Sequence, residues 1–246
     1  MEYIRLFYRA AAPKPFAKSG KDDGYNRDMT DSTALSAEQR ARRIKLIIFD
    51  VDGVLTDGTI WIFPAPAPSG NHAAPTESKS DAATSSLSMV EAKGFSAHDG
   101  TGISFARLAG LKCAIITRRV SETVALRARD LRMDYVYMGQ SYKIQAVREM
   151  MEKEKIGLDE IAYAGDDVID LPVMRVCGFA VAVANARDIV KAAAHYVTPH
   201  EGGYGAGRDA IEFILSAKGV LEKTIEAFID ERHPLPASID IGKGGF

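Results

Sequence analysis

Ile44-Lys45-Leu46-Ile47-Ile48-Phe49-Asp50-Val51-Asp52-Gly53-Val54-Leu55-Thr56-Asp57-Gly58 is the stretch that decides the fold. Its first six residues form a nearly continuous apolar run of strand length, the pattern of a strand buried on both faces of a parallel sheet. Two aspartates follow at once, where that strand must end. In open parallel sheets ligands bind beyond the carboxyl ends of the strands, so Asp50 and Asp52 fall where reactive groups gather.

Working outward, the same pattern repeats. Residues 112–116 read as a strand ending at Thr117, 135–137 as a short strand, and 161–164 as a strand ending at Gly165-Asp166-Asp167; 179–183 and 195–197 complete the set. Helices are expected over 102–109, 121–131, 143–155 and 186–194, the third with Ile144, Val147 and Met151 on one face. Strands alternating with helices imply an α/β fold, a Rossmann-like doubly wound parallel sheet with helices on both faces. Residues 59–63 and 89–95 read as the two strands of a β-hairpin leaving the Asp50 loop. Between them, PAPAPSGNHAAPTESKSDAATSSLS has too little bulky apolar surface to offset the entropy of ordering it, so 65–88 is expected to be a disordered, low-complexity insertion. The expected organisation is a weakly ordered tail over 1–43 with a short helix near Ser36 to Arg42, a domain over 44–219, and a helix and tail over 220–246.

Composition narrows the class. Thirty-one basic residues against 33 acidic ones leave a net charge of −2, which argues against nucleic acid or an anionic membrane surface as partner. No apolar stretch approaches the length that spans a bilayer, and the first residues lack the pattern of a secretory signal. Two cysteines, Cys113 and Cys177, fit buried thiols in a reducing compartment, and the cytoplasm is the expected location.

Four polar stations fall at strand or helix ends: Asp50 with Asp52, Thr117, Lys143, and Asp166 with Asp167. Singly, each is ordinary turn or cap chemistry. In this order they suit phosphoryl transfer. A carboxylate can attack phosphorus and form an aspartyl-phosphate. Attack of one anion on another needs screening, which a carboxylate-bound Mg²⁺ and a lysine supply.

FDVDGVLTDG, the strand-end Thr in AIITRR, the Lys in GQSYK and AYAGDDVIDLPVM together resemble the four motifs of the haloacid dehalogenase-like phosphatases. The likeness is closest to the branch acting on 3-deoxy-D-manno-octulosonate 8-phosphate (Kdo 8-phosphate), a small phosphorylated sugar acid of lipopolysaccharide precursor synthesis. It covers about Ile44 to Lys218. The resemblance implies Asp50 as nucleophile, Asp52 as general acid and base, and Mg²⁺ on the Asp50 side chain, the Asp52 carbonyl and Asp166. It implies Thr117 and Lys143 on the transferring phosphoryl group, and Asp52, His98, Asp99, Gly100, Arg119, Arg127 and Lys143 as substrate contacts. It also implies a homo-oligomer, a tetramer, because the chain has no room for a separate cap domain over the site.

The chain departs from that branch at His98, where Arg is usual; at Ser104, where a basic residue is common; at Arg118, usually Gly; and at Tyr204, usually Arg. Three of these remove cations suited to a sugar carboxylate. Arg118 either replaces one of them or is solvated. Two alternatives therefore stand beside Kdo 8-phosphate hydrolysis: a phosphatase for another phosphosugar, such as a nine-carbon 2-keto acid 9-phosphate, and a non-catalytic interaction protein.

Overall fold

The structure is a computed structural model that describes residues 35–65 and 89–230. The expected N-terminal tail before residue 35, nearly all of the low-complexity insertion, and the C-terminal tail after residue 230 lie outside the described residues. Helix α1 (Ala37–Ala41) opens on a reciprocal cap, in which the Ser36 hydroxyl accepts from the Gln39 N–H and the Gln39 side chain accepts from the Ser36 N–H. Strand β1 (Leu46–Phe49) follows, every residue buried.

The residues just before the expected domain start at Ile44 pack onto the domain. Ala41 is buried, Arg40 Nη1 donates to the Gly178 carbonyl at 3.1 Å, and Arg42 Nε donates to the Ala217 carbonyl at 2.8 Å. The short helix expected near Ser36 to Arg42 is thus present as α1, and these contacts fasten it to the sheet and to a later helix, α7 (Ala206–Ala217).

Strands β2 (Trp61–Pro64) and β3 (Met89–Ala92) pair antiparallel, with Trp61 opposite Ala92 and Ile62 opposite Glu91. Helix α2 (Ala97–Leu108) comes next, capped by Ser96, whose hydroxyl accepts from the His98 N–H. It begins five residues before the expected start at Gly102. Gly100 and Gly102 weaken the helical signal, glycine being a poor helix former. Packing explains Gly102: a Cβ there would stand 2.8 Å from the Arg208 Cα.

The remaining elements are β4 (Lys112–Ile116), α3 (Glu122–Asp130), β5 (Tyr135–Tyr137), α4 (Lys143–Glu154), β6 (Ile161–Gly165), α5 (Leu171–Met174), β7 (Phe179–Ala182), α6 (Asp188–Lys191), β8 (Tyr196–Val197), α7 (Ala206–Ala217) and α8 (Leu221–Ile229). The expected helix over 186–194 shrinks to the single turn of α6, in which Val190 is the one buried residue.

Six strands form one parallel sheet in the order β5-β4-β1-β6-β7-β8. The chain runs outward from β1 through β4 to β5, then returns to the opposite flank of β1 as β6. Strand order therefore reverses around β1, and the carboxyl end of that strand is where such a sheet opens a crevice. The doubly wound expectation holds. Among the described residues no separate cap domain covers that end, and the β2–β3 hairpin is the element that projects from it.

Candidate active site

Asp50 leaves β1 directly. Its N–H still donates to the Ala164 carbonyl of β6 at 3.0 Å, so the backbone is pinned by the sheet up to the carboxylate itself. Phe49 is opposite Ile115 on β4 and Ala164 on β6. Extending that register sets Thr117 and Asp166 on either flank of Asp50, each one residue beyond it.

Lys143 is the first residue of α4, and its buried ammonium stands 2.6 Å from Asp50 Oδ2 and 2.7 Å from Asp170 Oδ1. Asp170 is fully buried and satisfied on both oxygens. Oδ1 also accepts from the Tyr163 hydroxyl at 2.7 Å, and Oδ2 accepts from the N–H groups of Asp166 and Asp167 at 3.0 and 3.3 Å. One carboxylate thus fixes the lysine and the backbone that carries Asp166.

Asp166 differs: among the described residues no hydrogen bond reaches its carboxylate. Burial, reinforced by Asp170, Asp50 and Asp167, pushes its carboxyl up to about 7. Burial also raises Asp50, with Lys143 opposing and Asp170 adding to the rise. One oxygen each from Asp50, Asp166 and Asp170 lie within 4.8 Å of one another, with a single ammonium among them. Such a crowd of oxygens with too little positive charge suits a hard divalent cation. Asp170 takes four donors and Asp50 takes two, the Val51 N–H on Oδ1 at 2.7 Å and Lys143 on Oδ2, so Asp166 is the carboxylate of the three left without a donor among the described residues. Gly53 permits the crowding; it sits at φ +86°, and a Cβ there would lie 2.2 Å from Asp166 Oδ2.

Thr117 is buried at the end of β4, where its Oγ1 accepts from the Arg119 N–H at 3.3 Å. Arg119 Nε stands 4.0 Å from Asp52 Oδ2, and its Nη2 donates to Glu91 Oε2 at 2.8 Å. Glu91 also accepts from the Ser121 hydroxyl at 2.6 Å, which leads the causes holding its carboxyl below the usual range. Its carbonyl accepts from Thr123 Oγ1 at 3.0 Å. The return strand of the hairpin is thereby moored to the loop after β4. One residue further on, Lys93 forms an ion pair with Asp52 Oδ1.

Of the residues the sequence nominates, Asp50, Asp52, Thr117, Arg119, Lys143 and Asp166 gather around the end of β1. His98, Asp99, Gly100 and Arg127 form a second group at the start of α2. His98, Asp99 and Gly100 lie in the first turn of α2, ahead of the helix start expected at Gly102, and Arg127 of α3 lies against it. Asp99 is buried, and its Oδ1 accepts from the Arg208 N–H at 3.0 Å, which makes it a cap for α7. Arg127 Nη2 donates to the Ser96 carbonyl at 3.4 Å, and its guanidinium lies over the Phe95 ring. His98 is exposed. Sequence reasoning missed Asp170, Tyr163, Glu91 and Lys93. For Asp170 there was a signal, an aspartate four residues past a strand-end aspartate, placed to accept the turn's N–H groups. For Lys93 there was none.

Comparison with known proteins agrees with this geometry. The pattern of the haloacid dehalogenase-like hydrolase family matches residues 124–205. The 3-deoxy-D-manno-octulosonate 8-phosphate phosphatase KdsC of Escherichia coli K12 is 38% identical over 184 residues, covering 75% of this chain and 86% of that protein. Among solved structures, the Yersinia pestis 3-deoxy-D-manno-octulosonate 8-phosphate phosphatase superposes with a TM-score of 0.63 at 36% identity, covering 76% of this chain and 88% of that one. The Moraxella catarrhalis phosphatase of the same name, in complex with magnesium ion, phosphate ion and a KDO molecule, superposes with a TM-score of 0.64 at 33% identity, covering 78% and 97%.

Proposed function

The chain belongs to the haloacid dehalogenase-like phosphatases, and on that footing we propose that it is a Mg²⁺-dependent phosphomonoesterase that hydrolyses Kdo 8-phosphate through an aspartyl-phosphate on Asp50. The observation that carries the reading is the Asp50 carboxylate, pinned to the end of β1 and held at 2.6 Å by Lys143, beside an Asp166 carboxylate that no hydrogen bond reaches among the described residues.

In the first half-reaction an Asp50 oxygen bonds to phosphorus while the phosphorus–oxygen bond to the sugar breaks. Asp52 gives its proton to the departing sugar oxygen. In the second, water bonds to phosphorus and loses a proton to Asp52, the acyl-phosphate bond breaks, and inorganic phosphate leaves with Asp50 restored. Lys143 and Thr117 face the phosphoryl oxygens, where positive charge and fixed donors are most useful. Asp50, Asp166 and the Asp52 carbonyl would hold Mg²⁺, which when bound screens the repulsion between carboxylate and phosphate.

The named relatives and the KDO molecule in the Moraxella complex support Kdo 8-phosphate as substrate, and we propose lipopolysaccharide precursor synthesis as its setting and the cytoplasm as its place. No helix among the described residues is long and apolar enough to cross a membrane. Trp61, Ile62, Phe63, Met89 and Val90 stand exposed on the hairpin, an apolar surface that supports self-association, which we propose to be a tetramer. Light scattering on the purified chain checks that state.

Phosphate release across a panel of phosphosugars tests the function. Kdo 8-phosphate should be turned over best, and only with Mg²⁺. Preference for a nine-carbon 2-keto acid 9-phosphate would move the substrate, and release from none of the panel would remove the activity.

A further inference from the structure

Lys93 lies one residue past β3, and its side chain is 0% exposed although it ends in an ammonium. A charge withdrawn from water needs compensation close by, so its partners explain its place. They are Asp52 Oδ1, in direct contact, and Glu91 Oε1 at 3.7 Å. Glu91 is itself fixed by Arg119, Ser121 and the hairpin ladder. The ammonium therefore sits at the end of a moored strand and cannot follow Asp52 if that side chain swings. Asp52 is partly exposed, and its second oxygen, Oδ2, accepts no hydrogen bond among the described residues; Arg119 Nε stands 4.0 Å away, beyond hydrogen-bonding distance.

We propose that Lys93 is a positioning residue for Asp52, clamping Oδ1 so that Oδ2 is the oxygen presented to the sugar oxygen and to the attacking water. The role deepens the phosphatase reading above and rests on it. It gives the hairpin a catalytic task beyond any part in assembly: its return strand holds the acid and base in register with a nucleophile that the central sheet holds separately. A lysine serving only to fasten the hairpin would lower stability when replaced, and its effect would not depend on what stands at position 52.

A double-mutant cycle of Lys93→Met and Asp52→Asn in the full chain separates the two, read as kcat and KM at saturating Mg²⁺ on Kdo 8-phosphate and on p-nitrophenyl phosphate. Lys93→Met should lower kcat about ten- to a hundredfold with KM moving less than about threefold, the mark of an interaction that matters in the transition state. Lys93→Arg, which keeps the charge, should recover most of the loss. In the Asp52→Asn background Lys93→Met should cost less than about threefold, since no acid and base remains to be positioned. Losses that multiply across the cycle, or a Lys93→Met kcat within about twofold of wild type, would overturn the proposal. Should Lys93→Met fail to fold, Lys93→Gln takes its place in the same cycle. Wild-type turnover of the aryl ester without turnover of Kdo 8-phosphate would sink the substrate assignment alone, and the cycle on the aryl ester would still decide Lys93.

Discussion

Two buried lysines hold two aspartates of one loop, and they reach it from different parts of the molecule. Lys143 comes from the start of α4 and is wedged between Asp50 and Asp170, its ammonium also over the Tyr163 ring. All of these groups belong to the parallel sheet or the helices packed on it. Lys93 comes from a two-stranded hairpin outside the sheet and holds Asp52. The proposed nucleophile is thus positioned by the core of the fold, and the proposed proton-transfer group by an appendage. Damage to the sheet end should remove the reaction altogether, whereas damage to the hairpin base should slow it and leave metal binding intact.

The largest expected effect is at the nucleophile. Asp50→Asn is nearly isosteric but not nucleophilic, so phosphate release should fall below about a hundredth of wild type with the fold unchanged by circular dichroism. Activity above that level would put the nucleophile elsewhere and dissolve the contrast between the two lysines.

Asp170→Asn comes next. Its carboxylate joins Lys143, Tyr163 and the backbone under Asp166, all in the interior. Breaking a buried charged network of this kind costs about 3–5 kcal/mol, so the melting temperature should drop and kcat with it. If the variant melts like wild type, the sheet-end framework is not what holds Lys143.

A third test separates metal from scaffold. Burial lifts the Asp166 carboxyl to about 7, while in the unfolded chain it lies at about 3.9. Between those values the folded metal-free protein retains a proton that the unfolded chain has lost, so stability falls as pH rises through the window. Mg²⁺ binds the ionised form, and the rise in melting temperature that it brings should be larger at pH 8 than at pH 5. Asp166→Ala should flatten that dependence. An equal rise at both pH values in the wild type would remove Asp166 as a metal ligand.

The smallest effect belongs to the hairpin tip. Deleting residues 65–86 should change kcat by less than about twofold, because the segment has little to bury and loop closure depends weakly on length. A tenfold loss would extend the hairpin's role from its base to its tip.

The sheet and the stations at its carboxyl end were legible because both rest on local pattern. The run before Asp50 has one plausible reading, and Thr117, Lys143 and Asp166 each sit where a periodic segment stops or starts. What escaped depends on contacts between distant segments. Asp99 looks like a loop residue until α7 is seen to need a cap, 109 positions along the chain. The start of α2 hides behind two glycines, one of them required by the close approach of α7. Lys93 carries no pattern at all; its significance comes from the burial of its side chain and the fold of the hairpin back onto Asp52, which lies 41 residues earlier. Alternation reveals where strands end, and it is silent on which side chain from an appendage will meet them.

Covalent phosphorylation of Asp50 can be caught by trapping the acyl-phosphate. Enzyme quenched during turnover of Kdo 8-phosphate with Mg²⁺ is treated with borohydride, which reduces an aspartyl-phosphate to homoserine, and the residue is located by peptide mass mapping. Homoserine should appear at position 50, dependent on both substrate and Mg²⁺ and absent from Asp50→Asn. Reduction at another carboxylate, or turnover with no trapped residue at position 50, would contradict it.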